Sequence, residues 1–64
     1  MITNYEKIRL LLFRQRKTQA WLSKKANASR NTINAICNGK SCRYETAKRI
    51  ADALNVPVEE LLAE

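Results

Sequence analysis

Thr18 to Asn38, TQAWLSKKANASRNTINAICN, carries two short helical patterns separated by a tight turn. Leu22, Ser23 and Ala26 share one face of the first pattern. Ile33, Ile36 and Cys37, spaced i, i+3 and i+4, share one face of the second. Thr18 and Ser29 each stand just ahead of a pattern, where a hydroxyl can accept from backbone N–H groups left free at a helix start. Asn27 stands where the first pattern must stop, and Asn tolerates the left-handed conformation that a C-terminal turn requires. The outward face of the second pattern holds Asn31, Asn34, Ala35 and Asn38, with Arg30 at its leading edge. Short amides are an unusual choice for a face that only meets water. The second helix, about residues 29–37, therefore reads as a surface shaped to meet another molecule.

Outward from that stretch, composition narrows the class. Sixty-four residues make one domain, residues 1–64, with a thin core. One Gly, one Pro and no alternation at period two indicate an all-α chain. No apolar run approaches a membrane span and no signal-peptide pattern opens the sequence, so the cytoplasm is the expected location. Charge is uneven. All twelve Lys and Arg lie between Lys7 and Arg49, where Glu45 is the one acid, while Asp52, Glu59, Glu60 and Glu64 gather near the end. A basic body favours polyanions, most simply a phosphate backbone, although charge alone leaves a generic solvated surface open. Two cysteines without a histidine exclude the usual zinc arrangements. Cys37 falls on a core face and Cys42 in the following loop. Spacing permits a disulfide between them, but reduced thiols fit a cytoplasmic chain better.

In chain order, Thr3-x-x-Glu6 forms a capping box ahead of a first helix. Ile8, Leu11 and Leu12 give that helix its buried stripe, while Leu10 and Phe13 project to the other side. After the central stretch, Asn38-Gly39-Lys40 makes a turn with Gly39 as its left-handed residue. The loop Lys40-Ser41-Cys42-Arg43 is short and basic. Ala47, Ile50, Ala51 and Leu54 give the next helix an inward face. Asn55-Val56-Pro57 ends it and starts a last short helix, where Glu59 and Glu60 complement the helix dipole. Leu61 and Leu62 cannot both be buried in so small a body. One of them is expected either at a symmetric interface or in a frayed final turn.

Gln19, Ser23, Ser29, Ile33, Gly39-Lys40, Ile50-Ala51-x-Ala53-Leu54-x-Val56 and Leu61-Leu62 together resemble the Cro/repressor-type (Xre-like) helix-turn-helix family. The resemblance covers about Ile8 to Leu62 in the family spacing. It implies a compact, lambda-repressor-like bundle of five short helices, with the helix after the turn lying in the DNA major groove. The chain departs from the family in four places. Leu12 and Cys37 stand where the family commonly pairs an arginine with a glutamate, so a largely buried ion pair is replaced on both sides by apolar groups, and Leu12 is expected to touch Cys37. Lys17 stands where the family usually has an apolar residue. Phe13 is expected either to lean in and fill that place or, with Leu10, to form an apolar patch for a protein partner. Trp21 stands where the family often has Glu, and its ring is expected either to cover the stem of Lys17 or Lys25 or to share a partner contact with Phe13. Cys42-Arg43 replaces a frequent Pro-Ser, which leaves the following helix less clearly capped.

The resemblance implies a sequence-specific, double-stranded DNA-binding regulator from a bacterium, phage or other mobile element. It would bind as a homodimer on half-sites about one helical turn apart. Arg30, Asn31, Asn34 and Ala35 are the expected base contacts. Gln19, Ser29, Thr32, Asn38, Lys40 and Arg43 are the expected backbone contacts. Leu10, Phe13, Trp21 and Leu61 are the candidate partner surface, and they support a rival reading as a protein-interaction module of the antitoxin or antirepressor kind. No cofactor, metal or membrane is expected. With no His, no acid–base pair and no Gly-rich phosphate loop, an enzyme is not expected either.

Overall fold

The computed structural model describes residues 4–62. They form α1 (Tyr5–Arg14), α2 (Gln19–Lys25), α3 (Arg30–Cys37), α4 (Tyr44–Leu54) and a closing 3-10 helix (Val58–Leu61). The helix-turn-helix is α2 and α3. The bundle therefore has four α-helices and not the five expected. Pro57 supplies no N–H and holds an extended backbone, so only four residues remain for the last element. Glu60 N–H donates to the Pro57 carbonyl at 3.1 Å and Leu62 N–H to that of Glu59 at 3.3 Å, the shorter span of a 3-10 turn.

Helix starts follow side-chain chemistry. Thr18 Oγ1 accepts from Trp21 N–H and Ser29 Oγ from Thr32 N–H, each at 3.1 Å, as their positions predict. The start of α1 is capped by Asn4, whose Oδ1 accepts from Lys7 N–H at 3.2 Å. Thr3, the first residue of the expected capping box, lies outside the described residues. Arg43 precedes α4 without a capping side chain, in keeping with the loss of the family's usual residue there.

All four α-helices stop by one device. A residue with positive φ follows each helix: Arg16 (55°), Asn27 (55°), Gly39 (102°) and Asn55 (62°). In each case the next N–H reaches back to a carbonyl in the last turn, as Lys17 to Leu12 at 2.8 Å, Ala28 to Ser23 at 2.9 Å, Lys40 to Ala35 at 3.0 Å and Val56 to Ala51 at 3.0 Å. This is the Schellman pairing, which satisfies carbonyls that the helix itself leaves free. Gly and Asn suit the left-handed conformation. Arg16 does not, because its Cβ crowds the backbone at a cost of roughly 1–2 kcal/mol. Arg16→Gly is therefore expected to raise the urea midpoint, with a net gain of about 0.5–1 kcal/mol after the added freedom of glycine in the unfolded chain. A lower midpoint would mean that contacts of the Arg16 side chain outweigh its backbone strain.

The core is one cluster. Ile8, Leu11 and Leu12 of α1 meet Leu22 and Ala26 of the α2 end, Ile33, Ile36 and Cys37 of α3, and Ala47, Ile50, Ala51 and Leu54 of α4. Each of these was on a predicted inward face. Val58 and Leu61 complete it. Leu61 thus needs correction as a partner-surface candidate. Its side chain is fully enclosed, because the 3-10 turn folds across both α4 and the start of α1. Asn4 N–H donates to the Leu61 carbonyl at 2.7 Å, and Lys7 pairs with Glu60 at 3.7 Å. Leu62 is half-buried against the same core. At the other end of α1, Gln15 Nε2 donates to the Leu54 carbonyl at 2.9 Å and so caps α4 from outside.

Candidate nucleic-acid interface

The second helix of the turn is held by one face and open on the other. Ile33, Ile36 and Cys37 anchor α3 in the core, where it packs against α1 and α2. Burial pushes the Cys37 thiol above its ordinary pKa, partly offset by the positive charge of Arg9, so it stays a neutral core group. Cys37 and Cys42 are both free thiols, and the disulfide that spacing permitted does not form.

Arg30, Asn31, Asn34 and Asn38 are exposed on the other face of α3, and Ala35 is half-buried among them. The Asn38 amide donates to Asn34 Oδ1 at 3.5 Å, the outer limit of a hydrogen bond. So weak a contact lines the two amides along one ridge without tying either down. Each can turn its donor and acceptor toward a ligand. At the front of the helix, the Ser29 and Thr32 hydroxyls lie 2.7 Å apart and share one hydrogen. The second hydroxyl hydrogen of the pair remains to donate outward. Gln19 is half-buried at the first position of α2, beside the Thr18 cap.

The loop after α3 depends on Gly39. Its positive φ favours glycine, and a Cβ there would stand 3.5 Å from the Tyr5 ring of α1. That close approach fixes the path by which Lys40 and Arg43 leave the helix. Both are exposed. The C-terminal acids are engaged elsewhere, Glu60 with Lys7 and Asp52 with Lys48, each at 3.7 Å. Arg30 and Arg43 make no ion pair among the described residues, so their charge is unneutralised at the two ends of the α3 face.

The apolar candidates divide. Phe13 is 80 % exposed and Leu10 43 %, so Phe13 does not lean in and the alternative of an apolar surface patch stands. Trp21 is half-buried against the core, with Lys17 Nζ 5.2 Å from its ring centroid. That is cation–π distance, and it matches the expectation that the ring covers Lys17. Two residues near the interface were missed. Tyr5 supports the Gly39 turn, and no local pattern points to a contact across so much sequence. Tyr44, exposed at the first position of α4, sets a ring and a hydroxyl directly after Arg43. Its adjacency to the basic loop was the signal that could have found it. Among the described residues no His, Cys, Asp or Glu group is arranged to hold a metal, and no helix is long and apolar enough to cross a membrane.

A sequence model of the Cro/C1-type HTH DNA-binding domain matches residues 7–63, nearly the whole chain. No curated protein and no solved structure matches it. The chain belongs to the Cro/C1-type HTH DNA-binding domain family.

Proposed function

We propose that this Cro/C1-type domain is a sequence-specific regulator of transcription that sets α3 into the major groove of double-stranded DNA. The observation that carries the reading is the α3 face itself. Three exposed asparagines and an unpaired arginine stand on a helix whose opposite side is locked in the core. A rigid helix carrying short hydrogen-bonding side chains suits direct reading of base edges. In this reading Arg30, Asn31, Asn34 and Ala35 meet bases. Gln19, Ser29, Thr32, Asn38, Lys40 and Arg43 meet the sugar–phosphate backbone and set the register. The regulator works in the cytoplasm of a bacterium or on a phage or mobile element, as a repressor bound as a homodimer to a near-palindrome.

Selection of bound sequences from a random duplex pool tests this. The expected outcome is a motif of two inverted half-sites about one helical turn apart. A single asymmetric motif would remove the homodimer, and enrichment of nothing would remove sequence-specific reading. The exposed Phe13 and Leu10 favour a second reading, a regulator that keeps the fold but acts by binding a protein. Salt separates the two. Binding to random duplex through several phosphate contacts should weaken steeply as salt rises, by on the order of a thousandfold between 50 and 200 mM for about six contacts. Negligible DNA binding even at low salt would favour the protein partner.

A further inference from the structure

We infer that the outward face of α1 is a self-association surface that seats a second copy of this chain, antiparallel, about a two-fold axis through Leu10. Three features of that face converge on a second copy. Phe13 and Leu10 stand on the side of α1 away from Ile8, Leu11 and Leu12, and they are among its most exposed large apolar groups. A shallow hollow lies toward the start of the same helix, lined by Asn4, Glu6, Lys7 and Leu10. Glu6 and Arg14, both exposed, stand four residues to either side of Leu10 and make no ion pair among the described residues.

An antiparallel two-fold sets residue 10+k of one copy at the level of residue 10−k of the other. Leu10 then meets Leu10. Phe13 of each copy comes level with Lys7 of the other, where the hollow lies, so a projecting ring faces a recess of the same surface. Arg14 of one copy comes level with Glu6 of the other, each about 6 Å along the axis from Leu10. The match is isologous, as a closed dimer demands: the same patch supplies knob, recess and both charges. A parallel arrangement would set Glu6 against Glu6 and Arg14 against Arg14, and is disfavoured. One ten-residue helix face makes a small contact, roughly at or below the 1,200 Å² that marks the low end of specific interfaces. The dimer is therefore weak and concentration-dependent. It needs no DNA, and its failure would leave the reading of α3 untouched.

Sedimentation equilibrium of the whole chain in reducing buffer, from micromolar to millimolar concentration, tests it. Circular dichroism checks that every variant is folded. The wild-type chain is expected to dimerise reversibly. Phe13→Ser should weaken the dimer roughly tenfold or more, since it empties the recess. Glu6→Arg should weaken it to a similar degree, because two like-charge juxtapositions are created at once. Adding Arg14→Glu to Glu6→Arg exchanges the charges and should restore most of the affinity. A wild-type chain that stays monomeric at millimolar concentration overturns the inference. So does a dimer undiminished in either single variant, or a double exchange no tighter than Glu6→Arg alone.

Discussion

Leu12→Arg is expected to leave most of the chain unfolded at room temperature, and adding Cys37→Glu is expected to restore part of the folded population. Leu12 and Cys37 both lie inside the single core, on helices that pack against each other. An arginine at position 12 would bring a charge into that space with no acid to meet it. An unpaired buried charge costs about 3–5 kcal/mol. A domain of this length has a total stability on the order of 5 kcal/mol, so the single variant removes most of it. Cys37→Glu alone should be costly for the same reason. Together they rebuild an ion pair that the family commonly carries. The pair still has to be desolvated, so recovery is partial, and the apolar wild type remains the most stable of the four. Urea denaturation of wild type, both single variants and the double variant closes the cycle. Losses that simply add would show that the two sites do not couple, and that Leu12 and Cys37 are not neighbours.

The second large effect concerns reading of DNA, and its signature is a contrast between two variants. Asn31→Ala should cost about 1–3 kcal/mol on the cognate site and relax preference at one base position. The reason is geometric: an asparagine amide can pair with both N6 and N7 of adenine, and alanine with neither. Asn31 and Asn34, three residues apart and both exposed, face one wall of a groove together. Arg30 offers a fork that matches guanine O6 and N7, and Ala35 leaves room for a thymine methyl. A half-site with a G·C pair near Arg30 followed by A·T pairs is therefore expected. Lys40→Ala should instead weaken all sequences alike and reduce the salt slope by about one. Titrating cognate and random duplexes at several salt concentrations distinguishes the two patterns. If both variants lower cognate and random binding by the same ratio, α3 is not reading bases.

Most of the helical frame was legible because it rests on neighbours in sequence. Thr18 and Ser29 cap by bonding to N–H groups three residues on. Asn27 and Gly39 turn the chain at the spots where the patterns end. The buried stripes of α1, α3 and α4 follow from a spacing of three and four, which no distant residue can change. The exposed α3 face was legible for the same reason. Arg16 was not. Nothing about arginine signals a left-handed residue, and only the need to turn α1 into α2 within a few residues puts it there.

What the sequence by itself determined is therefore everything local: where helices start, where three of the four stop, which side of each faces inward, and the segregation of acids from bases. It also carries the extended pattern by which the family is identified. The tertiary structure decided what depends on residues far apart. The last element became one 3-10 turn, with Leu61 enclosed, because the space it closes is bounded by α4 and by the start of α1 at the other end of the chain. Phe13 stayed outside, although its sequence position allowed either side. Gln15 reached the Leu54 carbonyl, and Tyr5 came to lie beneath Gly39. A carbonyl that needs a donor, or a glycine that leaves room for a ring, states a requirement without naming the residue that meets it. Only packing the helices together brings that residue within reach.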